Sequence, residues 1–172
     1  QRLKEALPDT AEPGPTGWRP HRSWGAQGPL LSLRCGVTLL TLTGLTEDAD
    51  YPFAAAVGLF NACLFHECHD ALEPLWLTAE GDLKRRLQGL ILLAGGFHLQ
   101  QLHQRGGMAS LWEDASAALE GLGGRMATPW GVLAFGQALA AAEGRLAWLA
   151  ENALDAGLAP LWELPRPIWE RT

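Results

Sequence analysis

The densest group of reactive side chains in this sequence lies in the segment Phe65–Trp76, FHECHDALEPLW. On a helix with about 100° per residue, His66, His69, Asp70 and Glu73 fall within an arc of roughly 100°. His66 with Asp70 and His69 with Glu73 are i, i+4 pairs, so each imidazole is within reach of a carboxylate. A carboxylate beside a histidine fixes its tautomer and raises its basicity, as metal sites and acid–base catalysis both require.

A single helix seldom supplies a complete site, so we expect further groups from the apolar helix that follows. That helix carries Gln88, His98 and His103. If the two helices lie antiparallel, the imidazole and acid groups of the first should meet Gln88 and His98 on the second. The polar groups then either hydrogen-bond the two helices to each other or form a metal or acid–base site. The spacing His-x-x-His does not decide between them, because it lacks the i, i+4 histidine pair of the zinc-protease motif H-E-x-x-H.

Bulk composition excludes several classes of protein. The net charge of −6 and the absence of any basic cluster beyond Lys84-Arg85-Arg86 argue against a nucleic-acid partner. No apolar run reaches the roughly 20 residues that a membrane helix needs. The three cysteines form no C-x-x-C pair, so we expect free, buried thiols and a cytoplasmic location. These cysteines are Cys35, Cys63 and Cys68.

The elements that must position the polar edge are predicted to be helices. Apolar residues recur in steps of three and four from Pro52 onwards, which predicts an all-α bundle of about five helices over residues 50–157. Asn61 marks the first turn, and Thr128-Pro129 is typical of a helix start, with an N-cap followed by proline. The later helices are predicted at about Leu64–Leu77, Leu83–Arg105 (ending near Gly106-Gly107), Met108–Leu122 and Thr128–Leu154.

The two ends of the chain have a different composition. Residues 1–49 are rich in proline and glycine near the start, which indicates an irregular arm, with a short β-hairpin at 30–45 as one expectation. Residues 158–172 contain Pro160, Pro165 and Pro167, so we expect an extended tail that Trp162 and Trp169 attach to the bundle.

Two ordered blocks of residues form a recognisable pattern. They are Phe60-Asn61, Phe65, Glu67, His69, Asp70, Leu72, Glu73 and Trp76, then Leu87–Ile91 and His98. These blocks resemble a small bacterial and archaeal family known as domain of unknown function (DUF309). The resemblance covers about residues 53–122 and implies an all-helical bundle, without implying an activity. Cys63 stands where the family has glycine, Asp70 where it has glutamate, and His66 where it has an aromatic residue, which argues against a shared role for His66.

Carried over position by position, the resemblance gives six signature polar residues. They are Glu67, His69, Asp70, Glu73, Gln88 and His98.

Two functional hypotheses follow. In the first, the domain is an interaction or scaffold module without a cofactor, and a structural His/carboxylate network ties its helical hairpin. In the second, it is a metal-dependent or acid–base hydrolase, with a divalent ion held by His69, Asp70, Glu73 and His98 as candidate ligands. Whether the protein is an enzyme, and what its physiological partner is, stay open at this stage. Apolar helix faces are compatible with a homodimer.

Overall fold

Five α-helices and a small sheet make up residues 51–172, the part of the chain that this computed structural model describes. The prediction of a mostly helical fold with about five helices is confirmed. The arm predicted over 1–49 and the hairpin predicted over 30–45 lie outside the described residues. The elements are α1 (Tyr51–Asn61), α2 (Phe65–Thr78), α3 (Gly81–Gln101), α4 (Arg105–Leu119), β1 (Arg125–Thr128), β2 (Gly131–Ala134), α5 (Gly136–Glu151), a 3₁₀ helix (Ala159–Trp162) and β3 (Glu170–Arg171).

The turn between α1 and α2 begins at Asn61, as predicted, and depends on Cys63. This residue has a φ of 61°, in the left-handed region that favours glycine, the residue the family has here. The amides of Cys63 and Leu64 donate to the carbonyls of Phe60 and Leu59, each at 2.9 Å. This pair of bonds is the Schellman motif, which ends a helix by satisfying its last carbonyls. The turn that glycine would make is therefore retained with a buried cysteine.

The end of α3 corrects one sequence prediction. We expected this helix to continue to Arg105 and stop near Gly106-Gly107, but it ends at Gln101, and both glycines lie inside α4. His103 has a φ of 57° and closes a second Schellman motif, in which the Gln104 amide donates to the Leu99 carbonyl at 2.9 Å. The prediction relied on glycine to mark the turn, whereas a histidine adopts the left-handed conformation here.

Helices α2, α3 and α4 pack as consecutive antiparallel neighbours around an apolar core. The ends of the α2–α3 hairpin show this direction: the side chain of Gln101, at the end of α3, donates to the carbonyl of Cys63, just before α2. At the other end, the Lys84 ammonium lies 4.9 Å from the centre of the Trp76 ring. Leu72, Leu87 and Leu90 are fully buried in the core. The hairpin therefore brings the start of α2 beside the end of α3.

The segment around Thr128-Pro129 is a β-hairpin, so the prediction that it starts a helix is wrong. Strands β1 and β2 pair antiparallel, with Met126 opposite Leu133. The Thr128 hydroxyl accepts from the Trp130 amide at 3.1 Å and donates to the Gly131 carbonyl at 2.7 Å. The side chain that was expected to cap a helix thus closes a turn, and α5 begins only at Gly136.

The tail predicted as extended over residues 158–172 begins with a 3₁₀ turn at Ala159–Trp162 and a bend, and it forms a strand only near its end. Pro160 fits the first turn of a helix, where its missing N–H has no acceptor to serve, so proline did not prevent this turn. Trp162 and Trp169 are buried, which confirms that they attach the tail to the bundle. Strand β3 then adds to the open edge of β2.

The predictions about the cysteines and about membrane-spanning helices can also be compared with the structure of residues 51–172. Cys63 and Cys68 are free and buried, as expected for small apolar residues. No helix within these residues combines the length and the apolar character needed to cross a bilayer.

Candidate functional site

Asp70 lies between two imidazoles on the edge of α2. Its Oδ1 is 3.2 Å from Nδ1 of His69, a hydrogen bond, and its Oδ2 is 3.8 Å from Nε2 of His66. His66 and Asp70 are one helical turn apart, so the helix alone holds the three side chains together. The exposed fraction of the three side chains ranges from 36% to 51%, so the group is open to solvent.

A third imidazole comes from the facing helix. The ring of His98, near the end of α3, lies 5.1 Å from the ring of His66, with 25° between their planes. The ring of His69 lies 6.1 Å from that of His66 and nearly parallel to it. The antiparallel hairpin therefore gathers three imidazoles and one carboxylate at its open edge.

The charges of the cluster favour an ionised Asp70 and a neutral His98. The hydrogen bond from His69 is the main cause that lowers the pKa of Asp70, and the same bond raises the pKa of His69. Burial lowers the pKa of His98, and the charge of His66 lowers it further. A neutral imidazole keeps a free ring-nitrogen lone pair, which is the form that coordinates a metal.

The spacing of the ligand atoms suits a transition metal. One ligand atom each from His66, His69 and Asp70 can be chosen so that all three lie within 4.8 Å of one another. In a tetrahedral site with bonds of about 2.1 Å, ligand atoms are about 3.4 Å apart. The two His–Asp separations of 3.2 and 3.8 Å lie on either side of that value, so small side-chain rotations would bring the atoms to a common ion.

Glu67 faces away from this edge. It is only 8% exposed, and its carboxylate accepts a hydrogen bond from its own backbone N–H in the first turn of α2. Burial is the main cause that raises its pKa above the ordinary value of 4.5. Glu67 is therefore a signature residue that belongs to the helix start and not to the cluster.

Glu73 and Gln88 are not brought into the cluster by any contact between described side chains. Glu73 is exposed one turn beyond His69 and influences it through charge, which raises the pKa of His69. Gln88 is exposed and precedes His98 by ten residues, or about 15 Å along the helix axis. Gln88 and His98 both lie on α3, and only one of them can face His66. The structure places His98 there.

His66 is the member of the cluster that the family pattern led us to leave out. It stands where relatives are expected to have an aromatic residue, and here its ring stacks on His98 as an aromatic would. The i, i+4 spacing to Asp70 was the signal that could have included it. His103 instead forms the turn after α3.

The comparison with known families agrees with the resemblance seen in the sequence. Residues 53–111 match the family model described as Domain of unknown function (DUF309), which covers most of α1, all of α2 and α3 and the first part of α4. Searches among curated proteins and among solved structures gave no match. Residues 53–111 are therefore similar to this family, and the cluster of His66, His69, Asp70 and His98 lies within the matched segment.

Proposed function

We propose that the α2–α3 hairpin is a binding module for a divalent transition-metal ion, held by His66, His69 and Asp70, with His98 as a fourth ligand. The observation that carries this proposal is the convergence of three ligand atoms within 4.8 Å on a solvent-open helix edge. The ion would join α2 to α3, because His98 comes from the second helix.

The donor types narrow the choice of metal. Imidazole nitrogen is a ligand of zinc, copper, nickel and iron, whereas calcium and magnesium prefer sites made of oxygen alone. A cluster of three imidazoles and one carboxylate thus favours an ion of the zinc class. The hydrolytic form of this proposal also needs a coordination position open to solvent, so in that form only His66, His69 and Asp70 hold the ion and a water takes the fourth position.

A scaffold or interaction module is the second candidate, and the stacked rings of His66 and His98 favour it. Those rings join α2 to α3 without any ion. The His69–Asp70 bond stays within α2, so in this account the ring contact is what joins the cluster to α3, in addition to the Gln101–Cys63 hydrogen bond at the same end of the hairpin. The two accounts differ in what His66 does: it coordinates an ion in the first and only packs in the second.

Zinc titration calorimetry on protein purified without a histidine tag tests the proposal. We expect one zinc ion per chain, and a loss of affinity of about tenfold or more in His69→Ala and Asp70→Asn, since each removes a ligand. His103→Asn is the matched control, because asparagine tolerates the left-handed turn and His103 is outside the cluster. Equal affinity in all four proteins, or no zinc binding, would contradict the metal account.

His66→Phe separates the two candidates, because phenylalanine keeps the stacking ring and removes the ligand. The metal account expects weakened zinc binding with little change in the melting temperature of the metal-free protein. The scaffold account expects no zinc binding by any variant, and a lower melting temperature in His98→Ala that His66→Phe does not show.

A further inference from the structure

The segment 163–172, here called the tail segment, is bound through its backbone by an amide side chain of α1. The Asn61 Nδ2 donates to the Trp169 carbonyl at 2.8 Å, and the Trp169 amide donates to Asn61 Oδ1 at 2.9 Å. Both backbone groups of one residue are thus satisfied by one side chain. Such a pair of bonds recognises extended backbone whatever the side chain of the bound residue.

A second amide side chain, that of Gln137 in the first turn of α5, binds backbone groups of two residues of the tail segment. The Gln137 Nε2 donates to the Arg166 carbonyl at 2.6 Å, and the Ile168 amide donates to Gln137 Oε1 at 2.6 Å. Further along, Val132 of β2 exchanges two backbone hydrogen bonds with Thr172, at 3.0 and 3.3 Å. The tail segment is therefore added to the sheet edge and clamped by two amides, which is how many proteins bind extended peptides.

Side chains of the tail segment fill specific places. Trp169 is 1% exposed and stacks on Phe60, with ring centres 3.9 Å apart and 3° between the planes. Its indole nitrogen has no hydrogen-bond partner among residues 51–172, so ring stacking recognises this side chain. Arg166, three residues earlier, donates to the Asn61 carbonyl at the end of α1. Ile168 and Glu170, on either side of Trp169, are exposed.

We propose that Phe60, Asn61, Gln137 and the edge of β2 form a docking groove for an extended peptide with arginine three residues before tryptophan. The chain's own tail segment occupies this groove in cis and blocks it. Backbone hydrogen bonds supply affinity, and the places of Trp169 and Arg166 supply specificity. Pro165 and Pro167 hold the peptide extended before it binds, which lowers the entropy lost on docking.

One side of the groove lies within the family match, whereas Gln137, β2 and the occupant lie beyond it. Phe60 and Asn61 lie within residues 53–111, whereas the whole tail segment lies beyond them. Phe60, which stacks on the tryptophan, and Asn61, which binds its backbone, are thus part of the segment that matches the family. Its ligand is supplied by a different part of the chain, as expected for a site that another peptide of the same pattern can enter.

A fluorescent peptide with the sequence of residues 163–172 tests this proposal by anisotropy. The tethered tail segment competes with the free peptide for the groove at an effective concentration on the order of mM. The unchanged chain should therefore bind the peptide weakly. Trp169→Ala weakens the binding of the tail segment, so we expect the affinity of this variant for the free peptide to rise about tenfold or more. Adding Asn61→Ala should abolish the gain, and Glu170→Ala, an exposed change in the same segment, should leave binding as in the unchanged chain. Equal binding by the chain and Trp169→Ala, or a gain that survives Asn61→Ala, would overturn the proposal.

Hydrogen exchange on the unchanged chain gives a second test that needs no variant. If the tail segment detaches, the amides of Trp169 and Thr172 should exchange at least about tenfold faster than buried α3 amides such as that of Leu90. Excess free peptide should accelerate that exchange further. Exchange of Trp169 and Thr172 at the rate of Leu90 would show that the segment is an inseparable part of the fold, and the proposal would be wrong.

Discussion

The two halves of the described chain are held together in different ways. In residues 51–119, helices touch directly: Gly96 of α3 leaves room for the indole of Trp112 from α4, and Gly89 does the same for Leu119. Residues 120–172 are instead attached by long polar side chains that bond to backbone carbonyls far away in the sequence. Arg105 of α4, for example, donates to the carbonyls of Leu149 and Asn152 at the end of α5, at 2.7 and 2.6 Å.

The first half is therefore set by shape, that is, by how closely its side chains fit together. The second half is set by individual hydrogen bonds. Close helix contacts depend on the size of many side chains, each of which contributes a little. A hydrogen-bonded attachment depends on a few groups whose loss leaves buried acceptors unpaired. We therefore expect single substitutions to act differently in the two halves.

The largest expected effect is the loss of Arg145, the main attachment of the second half. Arg145 is fully buried, and it donates to Gln100 Oε1 at 2.8 Å and to the Leu161 carbonyl at 3.1 Å. Arg145→Met keeps much of the volume and leaves these acceptors without this donor, so we expect a loss of about 3 kcal/mol in the free energy of unfolding. The midpoint of urea denaturation measures it.

Arg125→Met is the control for this prediction. Arg125 is an exposed residue of β1 whose side chain makes one hydrogen bond within residues 51–172, at 3.3 Å to the Thr172 hydroxyl, so its loss should cost less than about 0.5 kcal/mol. If the two variants had the same midpoint, Arg145 would not have the role described here.

A slightly smaller effect is expected where two helices touch in the first half. A Cβ added at Gly96 would lie 2.3 Å from the Trp112 Nε1, so Gly96→Ala forces apart two buried elements. We expect a loss of about 2 kcal/mol. Gly58→Ala, in α1, meets no atom within 4 Å and should gain roughly 0.5–1 kcal/mol, since alanine favours the helix. If the melting temperatures of Gly96→Ala and Gly58→Ala changed in the same direction, the close contact between Gly96 and Trp112 would not explain the effect.

The smallest effect is a gain in stability from Glu67→Gln. Burial raises the pKa of Glu67 above 4.5, so near neutral pH the folded state holds a carboxylate in an unfavourable place. This cost disappears as pH falls below 4.5, where the carboxyl is protonated in both the folded and unfolded states. Glu67→Gln should therefore stabilise the fold by up to about 1 kcal/mol near neutral pH and by much less in acid.

Glu73→Gln, on the exposed edge of the same helix, is the control. Denaturation midpoints for the three proteins, measured near neutral pH and near pH 3.5, give the comparison. A gain for Glu67→Gln that is equal at both pH values would show that the charge of Glu67 is not its cause.

Sequence periodicity predicted the half that is set by shape. The apolar pattern gave the order of α1 to α4 and the antiparallel hairpin, because recurrence in steps of three and four reflects burial directly. It misplaced the end of α3, since His103 adopts a conformation that glycine usually supplies. It missed the β-hairpin because Thr128-Pro129 is suited both to a helix start and to a tight turn, and the pairing of β2 with the distant β3 cannot be seen in local spacing.

The candidate site was predicted in part for the same reason. Helical spacing placed His69 and Asp70 together, and the antiparallel hairpin brought His98 to them. Gln88 could not be excluded from the sequence, because its distance from the cluster depends on which end of α3 faces the start of α2. His66 was left out on the family pattern, although its spacing to Asp70 indicated the contact that the structure shows.

The proposal of a metal-binding hairpin is tested most directly by anomalous diffraction at the zinc edge, on crystals grown with one equivalent of zinc. We predict a single strong peak on the exposed edge of α2, within about 2.0–2.2 Å of a ring nitrogen of His66, one of His69 and an oxygen of Asp70. A zinc peak elsewhere on the chain, or density that leaves these three side chains without an ion, would contradict the account.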